Sequence, residues 1–295
     1  MTSTNFHRKP NMYTSHVQLK VSSLERSVPF YETVLGLKVL KQIDHTVYFT
    51  HDGKTSLLSI VEIDNAQSGV GYTGLYHFAL LLPTRKDLGN IVQHFIQLNV
   101  RIGAGDHHVS EALYLNDPDG NGIEIYWDRP ESEWKWDANE HVYMTTEQVD
   151  FQSVLAEADG TWNGMPAGTV MGHVHLSVRD LVETEKFYTN VLDYNVVTRY
   201  GPSALFISTG KYHHHIGLNT WHSQGRPALP ADAVGLMSYT TVLEDEAYAE
   251  QVKTNLLAAG FVVEQIEAAP AYGGKQAFST IDPNGIRIIF TTEEI

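Results

Sequence analysis

Cysteine is absent from the 295 residues. That excludes disulfides, thiolate metal ligands and a cysteine nucleophile, and leaves histidine and carboxylates as the metal chemistry available. No apolar run approaches the roughly 20 residues that a membrane span requires, and the opening MTSTNFHRKPNMYTS holds no apolar signal core. A cytoplasmic protein is the expectation. Basic residues are few, 20 against 35 acidic ones for a formal net charge of -15, which opposes polyphosphate backbones and sets nucleic acid aside as a partner. Histidine is plentiful, at 15 residues, and that number gains meaning only if several of them converge on one point.

The chain repeats itself. HVQLKVSSLERSVPFYETVLGLKVL from His16 returns as HVHLSVRDLVETEKFYTNVLDYNVV from His173, keeping Leu24 and Leu181, Phe30-Tyr31 and Phe187-Tyr188, and Val34-Leu35 and Val191-Leu192. GLYHFALLLP from Gly74 pairs with GLMSYTTVLE from Gly235, and NDPDGNGIEIYW and IDPNGIRIIF close these two copies. The order is A-B-A′-B′, with A over 14–64, B over 72–129, A′ over 170–222 and B′ over 233–292. Residues 12–129 make the first half, 130–169 a connection poor in periodic apolar residues, and 170–295 the second half.

Each unit reads as a strand, a helix and three strands. In A, Val17, Leu19 and Val21 alternate; Leu24, Val28, Tyr31 and Leu35 follow helical spacing, and Gly36 is placed to stop the helix. Pro29 interrupts that helix, because its ring removes a bond to Glu25. The runs LKVLKQI, TVYFT and SLLSIVEI supply the strands. Leu88, Ile91, Val92, Phe95 and Leu98 carry the helix of B, and Tyr248, Val252 and Leu256 that of B′. One such unit cannot cover both faces of its sheet. The expected fold class is therefore α+β, with four βαβββ modules paired into two cupped mixed β-sheets and helices outside.

Through its His-headed first strand, the FYxxVLG-like helix end and the DPDGNGIEIY turn and strand, the chain resembles the vicinal-oxygen-chelate superfamily of glyoxalases, bleomycin resistance proteins and extradiol dioxygenases. The YHHHIGLNTWH stretch and the four-module length are most similar to its catechol 2,3-dioxygenase-type members.

In such a cup, ligands occupy inward-facing strand positions. His16, His77 and His173 stand in the first strands of A, B and A′, and Glu124 in the last strand of B. Two histidines with one carboxylate leave open positions on non-haem Fe(II). B′ offers Ser238 where His77 stands and Arg287 or Ile289 opposite Glu124, so His77 and Glu124 belong to the site under any pairing. The third ligand is His16 if neighbouring modules pair and His173 if the inner modules B and A′ pair.

Extradiol enzymes of the superfamily carry a non-ligand histidine in the last strand of the module that supplies the first histidine. A′ reads Tyr212-His213-His214-His215 there, where A reads Thr55-Ser56-Leu57-Leu58. The register points to His215, with His213 on the same face as its alternative. This favours pairing B with A′ and the ligand set His77, Glu124 and His173. The family pattern adds a tyrosine ten places before the glutamate, which is Tyr114. His175 is a candidate substrate contact, and His107 and His108 are candidates for the cup mouth.

The resemblance implies extradiol cleavage of a catechol or hydroquinone by O2 at a centre of Fe(II), Mn(II) or another divalent metal, with His215 as acid and base and Tyr114 hydrogen-bonding a substrate oxygen. Partners are then a small aromatic diol and O2, with neither nucleic acid nor membrane, and a homo-oligomer is allowed for. A glyoxalase-like lyase or isomerase competes; it places a second carboxylate in the strand that here holds the histidine run. A non-catalytic binding protein of the bleomycin-sequestering kind predicts no ligands in the cup.

Overall fold

A computed structural model describes residues 6–266 and 277–293. Module A is β1 (Tyr13–Val21), α1 (Leu24–Thr33), β2 (Lys38–Ile43), β3 (Thr46–Thr50) and β4 (Ser56–Glu62). The Ser23 side chain caps α1 by accepting from the Arg26 N–H, and Pro29 lies inside the helix. Module B is β5 (Gly74–Leu81), α2 (Arg85–Gln97), β6 (Gly103–Asp106), β7 (Ser110–Asn116) and β8 (Gly122–Asp128). In α2 Leu88, Ile91, Val92 and Phe95 of the predicted stripe are buried, whereas Leu98 caps the helix and is exposed.

The connection folds a short helix, α3 (Phe151–Glu157), capped by Asp150 and packed on α2. It was not foreseen, although Phe151, Val154 and Leu155 follow helical spacing behind Asp150 and pack on the core, Val154 fully buried. Arg85 of α2 reaches α3 through Nη1, 2.5 Å from Glu157, and β7 through Nε, 2.5 Å from Glu111. Module A′ follows as β9 (Val170–Ser177), α4 (Leu181–Lys186), β10 (Asn195–Tyr200), β11 (Ala204–Ser208) and β12 (Ile216–Asn219). Module B′ is β13 (Gly235–Val242), α5 (Glu246–Ala258), β14 (Glu264–Ile266), β15 (Ala277–Ile281) and β16 (Arg287–Thr291). Among the described residues, no helix is long and apolar enough to cross a membrane.

The strands form two curled, mixed, eight-stranded sheets, as an α+β fold of this kind requires. One sheet runs β14-β15-β16-β13-β1-β4-β3-β2 and is made of B′ and A; the other runs β10-β11-β12-β9-β5-β8-β7-β6 and is made of A′ and B. Each is centred on an antiparallel seam, β1 with β13 or β5 with β9, flanked by parallel neighbours. The seams pack against each other, β1 on β9 and β13 on β5.

Strand alternation then sorts the side chains. Phe78 and Leu80 of β5, Ile123 and Ile125 of β8, and Val174 and Leu176 of β9 go fully buried into the core shared by both sheets. Their alternating partners His77, Glu124, His173 and His175 turn to the concave side.

Candidate metal centre

Register brings the polar partners together. Across the seam, His77 lies opposite His175 and Ala79 opposite His173; on the other side of β5, Ala79 lies opposite Glu124. A methyl group thus sits between His173 and Glu124, and the floor of the cup stays open. Glu124 Oε2 is 2.9 Å from His77 Nε2 and 3.2 Å from His173 Nε2. One ligand atom from each of the three buried residues lies within 4.8 Å of the others.

Burial alone would raise the Glu124 carboxyl, but His173 and His77 overrule it and hold the group ionised. Burial pushes His173 down, which keeps its imidazole neutral. His77 Nε2 touches the carboxylate, is buried, and still makes no hydrogen bond. Buried polar atoms are rarely left so. A divalent ion shared by the three groups accounts for it, and neutral imidazole nitrogen with anionic oxygen is a suitable donor set.

The other sheet repeats the geometry without the chemistry. Thr240, the repeat mate of Ala79, pairs with Ile289, so Ile289 rather than Arg287 stands in the place of Glu124. His16 is buried beside Tyr48 with ring centroids 6.2 Å apart, and burial pushes it down to about 3. Among the described residues, no group of potential ligands forms around it.

The histidine run departs from expectation. Strand β12 begins only at Ile216, so residues 213–215 lie in irregular backbone and the alternation argument lapses. His215 turns away from the cup: its Nε2–H donates to the Phe6 carbonyl at 3.1 Å, and its Nδ1 accepts from Ser208 Oγ at 3.0 Å and the Thr209 N–H at 3.4 Å. Both nitrogens are committed, and the ring is absent from the cavity lining.

His214 takes its place there, with its ring centroid 4.1 Å from that of His173. His213 Nε2 is 2.7 Å from Asp128 Oδ1, and its Nδ1 is 2.8 Å from His214 Nδ1. A carboxylate only accepts, so His213 gives Nε2–H to Asp128 and its bare Nδ1 accepts Nδ1–H of His214. His214 is then left with an unprotonated Nε2.

Tyr114 on β7 lies opposite Glu124. Its hydroxyl donates to His107 Nε2 at 2.6 Å, because His107 Nδ1–H is given to the Thr145 carbonyl at 2.7 Å. Burial first, then the Glu124 charge, raise the phenol well above its usual pKa, so it keeps its proton. His108 points outward to Glu147 at 3.2 Å. His175 lines the cavity with Nε2 unpartnered, in room left by Gly217, where a Cβ would lie 2.8 Å from the imidazole Cγ.

Above these groups opens a cavity of about 380 Å³. Met144, Thr145 and Thr146 of the connection form part of its wall, as do Trp221 and Tyr76. Sequence reasoning missed all five. Trp221 stood in the quoted YHHHIGLNTWH motif, whereas nothing in the aperiodic connection marked Met144.

With that geometry in hand, comparison with known proteins gives a family. The model of the Glyoxalase/Bleomycin resistance protein/Dioxygenase superfamily matches residues 14–125. The chain is 46% identical over 268 residues, 90% of its own length and 93% of the other's, to the Catechol-2,3-dioxygenase of Bacillus subtilis (strain 168). Its backbone is similar to that of a Bacillus subtilis protein described as a dioxygenase, with a TM-score of 0.69, 16% identity, and coverage of 96% of this chain and 86% of that one. Glyoxalase I from Zea mays follows, with a TM-score of 0.56, 16% identity, and coverage of 95% and 92%. Identities that low speak to the fold alone.

Proposed function

This chain belongs to the glyoxalase/bleomycin resistance protein/dioxygenase superfamily and, within it, to the family of the catechol-2,3-dioxygenases; from that premise we propose that it is a cytoplasmic, metal-dependent extradiol dioxygenase. Its substrates are a catechol, or a hydroquinone, and O2. The ring carbon-carbon bond beside the diol breaks, and both atoms of O2 enter the product.

His77, Glu124 and His173 would hold a divalent metal, Fe(II) or in its place Mn(II). Bound there, such an ion supplies open positions and an electronic route between diol and O2. The remaining groups handle protons and position. His214 is the acid and base, because its bare Nε2 can take the diol proton and later return it. Asp128 and His213 hold that ring in the required tautomer. Tyr114, kept protonated by burial and the Glu124 charge and held at the cavity by His107, would turn its one hydroxyl proton from His107 to a substrate oxygen as charge develops there. The apolar walls keep bulk water from these groups, which strengthens each of these interactions.

One observation carries the reading. Two imidazoles and one carboxylate converge beneath a cavity into which a third imidazole, the neutral His214, also faces. The test is anaerobic loading with Fe(II), followed by O2 uptake and a ring-fission absorbance change on adding catechols. Turnover of glutathione hemithioacetal with indifference to catechol would overturn it in favour of a glyoxalase-type lyase.

A further inference from the structure

A second cavity lies apart from the metal centre, and no residue lines both. It holds about 160 Å³ where the chain ahead of β1, β1 itself, the turn between β3 and β4 and the start of β9 meet. One sheet supplies β1 and the other β9, so an occupant touches both. Leu57 and Met171 give the cavity an apolar side, and the exposed Asp52 marks its mouth.

Three of the lining side chains carry polar atoms with nothing to bind. His7 Nδ1, Thr14 Oγ1 and Ser15 Oγ are buried without a hydrogen-bond partner among the described residues, a state that native interiors rarely tolerate. All three residues are more than nine-tenths buried, with His7 6%, Thr14 1% and Ser15 5% exposed. Consecutive residues of a strand ordinarily face opposite ways. The register of β1 on β13 slips between Thr14 and His16, and such a bulge re-aims the unpaired residue, here Ser15. Burial pushes His7 down to about 4, so its ring is neutral, and its Nε2–H donates to the Gly172 carbonyl at 2.7 Å. Its Nδ1 is therefore a bare acceptor, beside two hydroxyls that both give and take.

We infer that this cavity is a second ligand site, for a compact, uncharged polyol about the size of glycerol or erythritol, held by His7, Thr14 and Ser15. Hydroxyl groups meet the demand: one donates to the imidazole, others exchange hydrogen bonds with Thr14 and Ser15, and the carbons lie on Leu57 and Met171. No lysine or arginine lines the cavity, so an anion would lose its water with no cation to meet it. An ammonium ion would find the lining's one carboxylate, Asp52, already accepting from Thr50 Oγ1 and from the N–H groups of Lys54 and Thr55. By bridging β1 and β9 of the folded chain alone, the occupant stabilises that state as it fills the site. The site stands whether or not the metal centre cleaves catechols.

The test follows the melting temperature of the protein as isolated while erythritol, glycerol or sucrose is added. Sucrose is too large to enter and stabilises by exclusion from the whole surface; erythritol should add a component that saturates in the millimolar range, with the same dissociation constant by calorimetric titration. Thr14→Val and Ser15→Ala should each weaken erythritol binding by about fivefold, the worth of one hydrogen bond, with the sucrose response and bound metal unchanged. Should either variant fail to fold, a crystal of the parent soaked in erythritol decides, the polyol between His7 Nδ1 and the two hydroxyls being the expected result. A response to erythritol that never saturates, equal binding by the variants, water alone in the soaked cavity, or tighter binding of methylammonium or acetate would each overturn the inference.

Discussion

His213 and His214 face each other Nδ1 to Nδ1 across 2.8 Å, so one proton serves both nitrogens, and Asp128, 2.7 Å from Nε2 of His213, decides which imidazole carries it. A carboxylate outside the cavity thereby sets the protonation state of a nitrogen inside it.

Removing the base should be costly to the reaction and cheap for the metal. His214→Ala is expected to lower kcat by about 10²–10⁴-fold with metal content by elemental analysis unchanged. Asp128→Asn, which can donate to His213 and reverse the tautomers, should lower kcat by roughly 10²-fold or more. His215→Asn should instead lower the melting temperature, at about 1–3 kcal/mol for the polar atoms it leaves unpaired, with kcat little altered. Loss of activity in His215→Asn at full metal content, with His214→Ala active, would reverse the assignment.

The three ligands should behave alike, and His16 unlike them. His77→Ala, Glu124→Ala and His173→Ala are each expected to abolish retention of Fe(II) through gel filtration, while His16→Ala retains it. Because a metal bound only by the folded state stabilises that state, chelation should lower the melting temperature of the parent and leave the three ligand variants unmoved.

His16 should make the fold sensitive to acid. Its folded pKa of about 3 lies below the usual value near 6.5, so the unfolded chain binds the proton first. Its contribution is complete above about pH 6.5 and is lost as pH falls toward 3, with a slope near 1.4 kcal/mol per pH unit for one proton. His16→Phe should flatten that part of the stability profile measured by urea unfolding between pH 6.5 and 4. An unchanged slope would mean that the residue does not stay neutral.

Gly172 should tolerate no side chain. A Cβ there would lie 2.0 Å from the Tyr126 hydroxyl, which bonds Tyr212 at 2.7 Å. Gly172→Ala is expected to cost about 1–3 kcal/mol by overpacking, and Tyr126→Phe in the same chain should recover part of it. Calorimetry of the two variants decides the matter.

His107→Phe should remove the imidazole that holds the Tyr114 hydroxyl in place at the cavity. A fall in kcat of about tenfold, of the order of one lost hydrogen bond, with KM less affected, is the expected result in steady-state kinetics.

Much of this was legible in the sequence because it was written as a repeat. His77, Glu124 and His173 could be named from their places in repeated strands and Tyr114 from the family resemblance, and alternation along β5, β8 and β9 is regular enough to say which side chains share a face. That regularity ends one residue before β12, and there the reading went astray. A histidine run in irregular backbone has no period, so His214 was indistinguishable from its neighbours. Met144, Thr145 and Thr146 were illegible for a related reason: they reach the cavity because Asp106 pairs with Glu147 in an isolated bridge, a contact that leaves no hydrophobic pattern. The glycines 172 and 217 were visible as letters, but their reason, a ring passing where a Cβ would stand, exists only in three dimensions.

The nesting of one sheet inside the other along the chain sets an order of assembly. All strands from β5 to β12 come from one uninterrupted stretch, Gly74 to Asn219, whereas β1 must wait for β13. Loops that close over shorter separations close faster. During synthesis from the N-terminus, the metal-bearing sheet can be finished and loaded while the outer one still lacks half its strands. A defect late in the message would leave every strand of the β5–β12 sheet in place but remove the B′ side of the core it shares.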